Sequence, residues 1–288
     1  MTTTSWTSAP THTTDALFRA WGKGVSDAIA AVGFIRTADT GQINWTTVTM
    51  PTVANTQQGY EVYRFNDTLQ ATAPLFFRVG YGSGSVLSYP SIWLTVGKGS
   101  DGAGAITSTL VPLSQVGLSG SNATATASYA SSGDGSLLAL AMFVGGGSTT
   151  YSRLALIERS RSSVGAATGT GVVVLHYPST TPITKTANYP STYPYPPSFK
   201  WPVQMPTDSG SDNSLSNGGK APVFAATVTD GLGNFWQPRS MLLGMRSDMG
   251  SLSTFTVPGW GTYMSCAPGL QFFDGQGGIY ASPAIRWE

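Results

Sequence analysis

Apolar side chains recur at two different spacings along the chain, and the spacing changes near residue 34. Between Asp15 and Val32 they recur every three or four positions, which is the period of one helix face, at Leu17, Phe18, Trp21, Val25 and Ile29. Thr13 or Thr14 is a suitable N-cap, and Gly33 follows the last turn. This pattern predicts an amphipathic helix preceded by a polar, Thr-rich arm.

The predicted helix needs a surface to pack against. Gly22 and Gly24 lie inside it, and each glycine costs about 1 kcal/mol of helix stability relative to alanine. Two arrangements remain open: the apolar face packs on the β-rich body of the same chain, or it docks into a neighbouring subunit. The second predicts that deleting residues 1–34 impairs assembly more than folding.

After Ile35 the pattern changes to short β-prone runs that are separated by Gly, Pro or Asp-Gly turns. These runs are INWTTVTM, GYEVYRF, PLFFRVGYG, SIWLTVG, AITSTLV, ATASYAS, LLALAMFV, SRLALIERS and GVVVLHY, and later APVFAATVTD, NFWQPRSMLLGM, GSLSTFTV, GLQFFDG and GIYASPAIRW. They predict a mainly β protein, an antiparallel β-sandwich or jelly roll with one N-terminal helix, or alternatively two separate sandwiches.

The same pattern divides the chain into four parts. They are an arm and helix (1–34), a main β domain (35–177), an extended linker rich in Pro, Tyr and Ser (178–220), and C-terminal strands that join or extend the β domain (221–288). The aromatic content of the linker predicts that it lies against another surface.

Low charge narrows the functional classes. Only 10% of residues are charged and the net charge is +1, so the clustered Lys and Arg that bind nucleic acid are missing. The densest basic spot, Arg159 with Arg161, is interpreted as a solvated strand end. No secretory signal or membrane-spanning run is recognisable, which predicts synthesis in a cytoplasm and no membrane partner. The lone Cys266 is interpreted as an inert thiol.

Asp39-Thr40-Gly41 matches the tripeptide of aspartic proteases. Such enzymes need two carboxylates that share a proton, and the tripeptide has no second copy here. An Asp and Gly pair between β-prone runs is also typical of a turn, and we favour the turn.

Other short motifs also favour structural interpretations. The glycines of GKGSDG precede a β-prone run instead of the helix that a dinucleotide site requires, so they predict a turn. His12 and His176 have no metal-ligand spacing, and Asp208 and Asp212 lack the EF-hand pattern. We therefore predict no catalytic residue, no cofactor and no metal site.

Aromatic residues in Pro- and Gly-rich segments are the remaining candidates for binding. They either anchor a subunit interface, where Trp and Tyr are enriched, or stack on sugar rings. We favour the interface and assign to it Tyr193, Tyr195, Trp201, Trp236 and Trp260, together with the helix residues Leu17, Phe18, Trp21, Val25 and Ile29.

A family resemblance extends from residue 16 to about residue 104. The runs ALFRAWG, GFIRTADTGQINWTTVTMP, GYEVYRFNDTLQATAPLFFRVGYGSG and PSIWLTVGKGSDGAG resemble virion structural proteins of tailed bacteriophages that infect Gram-negative bacteria. The resemblance implies a non-enzymatic component of an assembled virion, whose partners are other virion proteins and copies of itself. We expect it in the tail, baseplate or fibre attachment, after synthesis in the cytoplasm of the bacterial host. A capsid decoration protein and a receptor-binding module that recognises host-surface glycans are the alternatives.

Overall fold

The computed structural model describes residues 1–117, 126–144, 151–161, 167–177, 183–186, 198–199, 223–225, 228–229, 235–236, 241–245, 254–265, 271–273 and 278–288. Side chains are described for residues 1–111, 126–143, 154–159, 254–265 and 284–288. The chain is mainly β, with several packed antiparallel sheets and one N-terminal helix, so the predicted sandwich-like fold is confirmed.

The chain begins with a strand, β1 (Thr2–Ser8), followed by the helix α1 (Asp15–Ala31). The Thr14 hydroxyl caps the helix by accepting a hydrogen bond from the Leu17 amide at 3.3 Å, and Gly33 follows the end with a φ of 99°. The helix boundaries therefore agree with the prediction. The Thr-rich arm before the helix differs from the prediction, because residues Thr2–Ser8 form a regular strand. Thr is polar, but its β-branched side chain favours strands.

The first sheet is an antiparallel meander of five strands. Its order follows the chain through β2 (Ile35–Arg36), β3 (Gln57–Arg64), β4 (Phe76–Ser83), β5 (Pro90–Ser100) and β6 (Ile106–Gly117). The predicted strand INWTTVTM is absent: residues 42–50 form a loop. The Asn44 side chain accepts hydrogen bonds from the amide of Thr46 at 2.9 Å and from its hydroxyl at 2.8 Å, which stabilises a turn in place of an extended run.

The second sheet has six strands in the order β1-β7-β8-β9-β10-β11. Its later strands are β7 (Ala127–Gly133), β8 (Leu137–Val144), β9 (Tyr151–Arg161), β10 (Ala167–Tyr177) and β11 (Ile183–Thr186). All described pairings in it are antiparallel. The two sheets are thus successive meanders, and β1 joins the second sheet from the start of the chain.

Shorter strands follow in the C-terminal part. They are β12 (Ser198–Phe199), β13 (Val223–Ala225), β14 (Val228–Thr229), β15 (Phe235–Trp236), β16 (Met241–Met245), β17 (Thr254–Val257), β18 (Gly261–Ser265), β19 (Gln271–Phe273) and β20 (Gly278–Arg286). One sheet has the order β13-β16-β20-β18-β17, with β19 paired to β20, and β12-β14-β15 form another. The described strands of residues 221–288 thus pair in sheets separate from the first two.

One apolar core joins the helix to both large sheets. Phe18, Trp21 and Ile29 of α1 are buried with residues of both sheets, among them Phe77 and Leu140. Of the two arrangements left open for the helix, the structure has the first, in which the apolar face packs on its own chain.

An ion pair connects a loop of the first sheet to the second sheet. Arg159 donates to Asp67 with Nε at 2.6 Å and a terminal nitrogen at 3.1 Å, and it also donates to the carbonyl of Ala73 at 2.9 Å. The arginine is 2% exposed, so its interpretation as a solvated strand end is wrong. A bidentate pair of this kind fixes orientation as well as charge.

Candidate functional site

Asp39 holds two loops together. Its carboxylate accepts hydrogen bonds from the Thr37 hydroxyl at 2.5 Å, from the Ser100 hydroxyl and from the Gly104 amide at 3.1 Å. The neighbouring Thr40 amide donates to the carbonyl of Gly102 at 2.8 Å. Asp39 thereby joins the loop after β2 to the turn between β5 and β6.

These hydrogen bonds also set the proton affinity of the carboxyl group. Partial burial raises the pKa of Asp39, but the hydrogen bonds from Ser100, Thr37 and Gly104 together outweigh it and lower the pKa below its usual value. A shared-proton dyad requires the opposite shift on one of its carboxyl groups. Thr40 and Gly41 form a turn, with a φ of 75° at Gly41, so the predicted turn is confirmed.

Glu61 is the centre of a second polar cluster, which lies under the helix. One carboxylate oxygen accepts from Ser26 at 3.0 Å and from the Trp45 indole at 3.3 Å, and the guanidinium of Arg36 is 3.1 Å away. The other oxygen accepts from the hydroxyls of Tyr63 at 2.7 Å and Tyr81 at 2.6 Å. Glu61 is fully buried, and these groups come from α1, β2, β3, β4 and the loop after β2.

The Glu61 cluster is held by hydrogen bonds within the chain. Burial raises the pKa of the Tyr63 phenol, and the charge of Glu61 adds to the shift. Burial likewise raises the pKa of Tyr81, with further contributions from Tyr63 and Glu61. Both phenols therefore remain protonated donors, and the cluster fixes the helix on the first sheet.

Glu61 was not among the residues that the sequence patterns singled out. The available signal was its position in the alternating run GYEVYRF, where Glu61 shares a strand face with Tyr63. A carboxylate on an aromatic, inward-facing strand position indicates a buried hydrogen-bonded group. The donors from Ser26 and Trp45 could not be identified in this way, because they come from other elements.

His12 is a third polar group that connects separate elements, and it is fully buried. Its ring packs edge-on to Phe18 at 5.1 Å and lies 6.2 Å from the ring of Trp21. Nε2 lies 3.1 Å from the carbonyl of Leu87, and the His12 amide donates to the carbonyl of Ser88 at 2.8 Å. Burial lowers the pKa of His12 to about 4, although the bond to Leu87 works against this. His12 thus attaches the segment after β1 to the loop before β5.

The predicted interface residues occupy different environments. Phe18, Trp21, Val25 and Ile29 are at most 1% exposed in the core of this chain, whereas Leu17 is 36% exposed. The helix face is thus occupied by the chain's own sheets, and we now expect deletion of residues 1–34 to disrupt folding because it removes core side chains.

The aromatic candidates are only partly described. Trp260 is 47% exposed at the turn between β17 and β18, and Trp236 lies in β15. Tyr193, Tyr195 and Trp201 lie outside the described residues, as do Asp208, Asp212 and Cys266. Of the glycines of GKGSDG, Gly102 lies in the turn before β6, as predicted, whereas Gly97 and Gly99 lie within β5.

Two specific features are absent from the described parts of the chain. There, no three His, Cys, Asp or Glu side chains are grouped so that they could hold a metal ion. The helix described at the N-terminus is not long and apolar enough to cross a membrane.

Comparisons with known proteins give no relative for this chain. No protein-family model, no curated protein and no solved structure matches it. Function must therefore be argued from the residues themselves.

Proposed function

We propose that this chain is a non-enzymatic structural component of a tailed-phage virion, located in the tail, baseplate or fibre attachment. The observation that carries the proposal is the use of polar groups that are buried or partly buried. Asp39, Glu61 and His12 each connect separate elements of the fold, and each is held by hydrogen bonds within the chain. Such groups stabilise one shape, which is what an assembly subunit needs.

Composition supports the same proposal. The chain carries 10% charged residues, and the exposed large apolar residues of the described parts are scattered: Met1, Leu17, Val53, Val86 and Trp260. Depletion of charge is typical of the cores of protein interfaces. The resemblance of residues 16 to about 104 to virion structural proteins of tailed phages points to the kind of assembly.

Location in particles tests the proposal. Purified particles of a phage that encodes the chain are examined by mass spectrometry and by electron microscopy with a labelled antibody. We expect the chain in the particles and the label at the tail or its tip. Absence of the chain from intact particles would refute the proposal, and a label on the head would instead favour a capsid decoration protein.

An enzymatic role is tested separately. Wild type and Asp39→Asn are compared in a peptidase assay, and we expect equal inactivity. Activity that depends on Asp39 would contradict a purely structural role.

One observation favours a second candidate function, a module that binds host-surface glycans. Trp260 is 47% exposed in the Pro258–Gly259 turn, and an exposed indole can stack on a sugar ring. A glycan array with wild type, Trp236→Ala and Trp260→Ala tests it. Saturable binding that is lost in Trp260→Ala would favour the glycan module, and absence of binding would leave the structural role.

A further inference from the structure

The outer edges of the two large sheets differ in how they are protected. An edge strand exposes unpaired N–H and C=O groups, and proteins usually protect it by shortness, charge, proline, a bulge or a covering loop. In the first sheet, β2 has two residues, and the loop beyond it covers β3 through the amides of Thr37 and Ile43, which donate to Val62 and Tyr60 at 2.9 Å. This edge is short and covered.

The edge strands β6 and β11 are protected by other features. β6 contains Pro112, a positive φ of 47° at Ser108, and two register shifts against β5. β11 has four residues and carries Lys185. Each of these features interrupts or discourages the addition of another strand.

Among the described residues, none of these protective features is found at β1, and the helix α1 contacts the strand through Gly24, which lies against the Trp6 ring. The seven residues of β1, TTTSWTS, contain no charge and no proline. They pair with β7 from Thr2↔Gly133 to Ser8↔Ala127 without a register shift. Within the described part of the chain, β1 is the end strand of its sheet. Ser5 and Thr7 are exposed on one face, whereas Trp6 lies on the other face, where it stacks on Tyr129 at 4.9 Å.

We propose that the outer edge of β1 pairs in antiparallel fashion with β1 of a second copy of this chain. The pairing joins two six-stranded sheets into one continuous sheet across a two-fold axis. The register centred on Ser5 uses all seven residues and places Thr3 opposite Thr7 of the other copy.

A second copy fits this edge because β1 is complementary to itself. No like charges face each other in the antiparallel arrangement, and hydroxyl side chains lie opposite one another on the exposed face, where Thr and Ser pairs form favourable cross-strand contacts. On the other face Trp6 lies opposite Thr4 of the second copy. Met1, Thr2, Ser5 and Thr7 are exposed, so positions at the start, in the middle and near the end of the strand face solvent within the described residues.

Cysteine cross-linking tests the register. Thr3→Cys, Ser5→Cys and Thr7→Cys are made singly in a Cys266→Ser background, and Thr109→Cys is the matched control on the protected strand β6, where Thr109 is also exposed. We expect Ser5→Cys to give the most covalent dimer on oxidation and Thr109→Cys to give little. Equal cross-linking at Ser5 and Thr109 would refute the pairing.

Substitutions that introduce a charge at Ser5 test the same contact without a cross-link. Light scattering over a range of concentrations should show a wild-type dimer. Ser5→Lys and Ser5→Glu should each weaken it by about fivefold or more, because like charges then lie directly opposite. An equimolar mixture of the two variants should restore the dimer. Circular dichroism and thermal unfolding check that each variant is folded.

Three results would overturn the inference: a monomer at all concentrations, a dimer insensitive to Ser5→Lys, or no recovery in the mixture. These tests use the purified chain, so they are independent of the proposed virion function. A monomeric chain found in phage particles would refute the pairing alone, whereas a β1-linked dimer absent from particles would refute the virion role alone.

Discussion

Acid should destabilise this protein through His12. The folded state holds the imidazole neutral, because the ring is fully buried against Phe18 and Trp21 and its pKa falls from 6.5 to about 4. The unfolded chain therefore takes up a proton first as the pH falls. This stabilisation is complete above pH 6.5 and is lost between pH 6.5 and about pH 4.

The loss of stability in acid can be calculated from the pKa shift of His12. A difference from 6.5 to about 4 corresponds to about 3 kcal/mol, since one pKa unit is worth about 1.4 kcal/mol. Nε2 is within hydrogen-bond distance of the Leu87 carbonyl, whereas Nδ1 has no hydrogen-bond partner within the described part of the chain. A second proton would thus place a donor in apolar surroundings, which is the physical origin of the penalty.

Urea unfolding at several pH values from 7 to 4 measures the contribution of His12 to the free energy of unfolding. Wild type is compared with His12→Gln, which keeps an amide donor for Leu87 but does not titrate. Carboxylates titrate in both proteins, so the difference between the two pH profiles isolates His12. We expect wild type to lose about 3 kcal/mol more than the variant. His176→Gln is the control for the chain's other histidine. Parallel profiles for wild type and His12→Gln would refute the reasoning.

Three further predictions concern stability, each measured by urea unfolding at pH 7. Gly22→Ala should destabilise the protein by about 1 kcal/mol or more despite its better helix propensity, because the added methyl group would overlap the ring of Trp45. Thr14→Ala should cost about 1 kcal/mol by removing the helix cap. Asp67→Asn should cost about 3 kcal/mol, because it removes the carboxylate that pairs with the buried Arg159.

Matched comparisons show what would contradict these predictions. Asp27 and Lys23 form an exposed ion pair, in which the side chains are 63% and 59% exposed, respectively. Asp27→Asn breaks this pair and should lower the free energy of unfolding by less than about 1 kcal/mol. If Asp67→Asn cost no more stability than Asp27→Asn, burial would not strengthen the ion pair between Arg159 and Asp67. A stabilised Gly22→Ala variant would show that Trp45 moves away easily, and an unchanged Thr14→Ala variant would show that the cap contributes little.

The sequence by itself determined the features that depend on neighbouring residues. The helix Asp15–Ala31, its Thr14 cap and Gly33 were predictable because helix periodicity and capping act within a few positions. Most strands before residue 178 were predictable for the same reason, since alternation and turn residues are local signals. The turn at Asp39-Thr40-Gly41 also follows from local chemistry.

Tertiary structure decided what depends on residues far apart in the chain. The Thr-rich arm became β1 because β7, more than a hundred positions later, supplies a partner for its backbone. Gly22 was predicted only as a weak point of the helix, but its lack of a side chain admits the indole of Trp45. Glu61 and Arg159 are buried because donors and acceptors from separate elements converge on them, and no local pattern encodes such convergence.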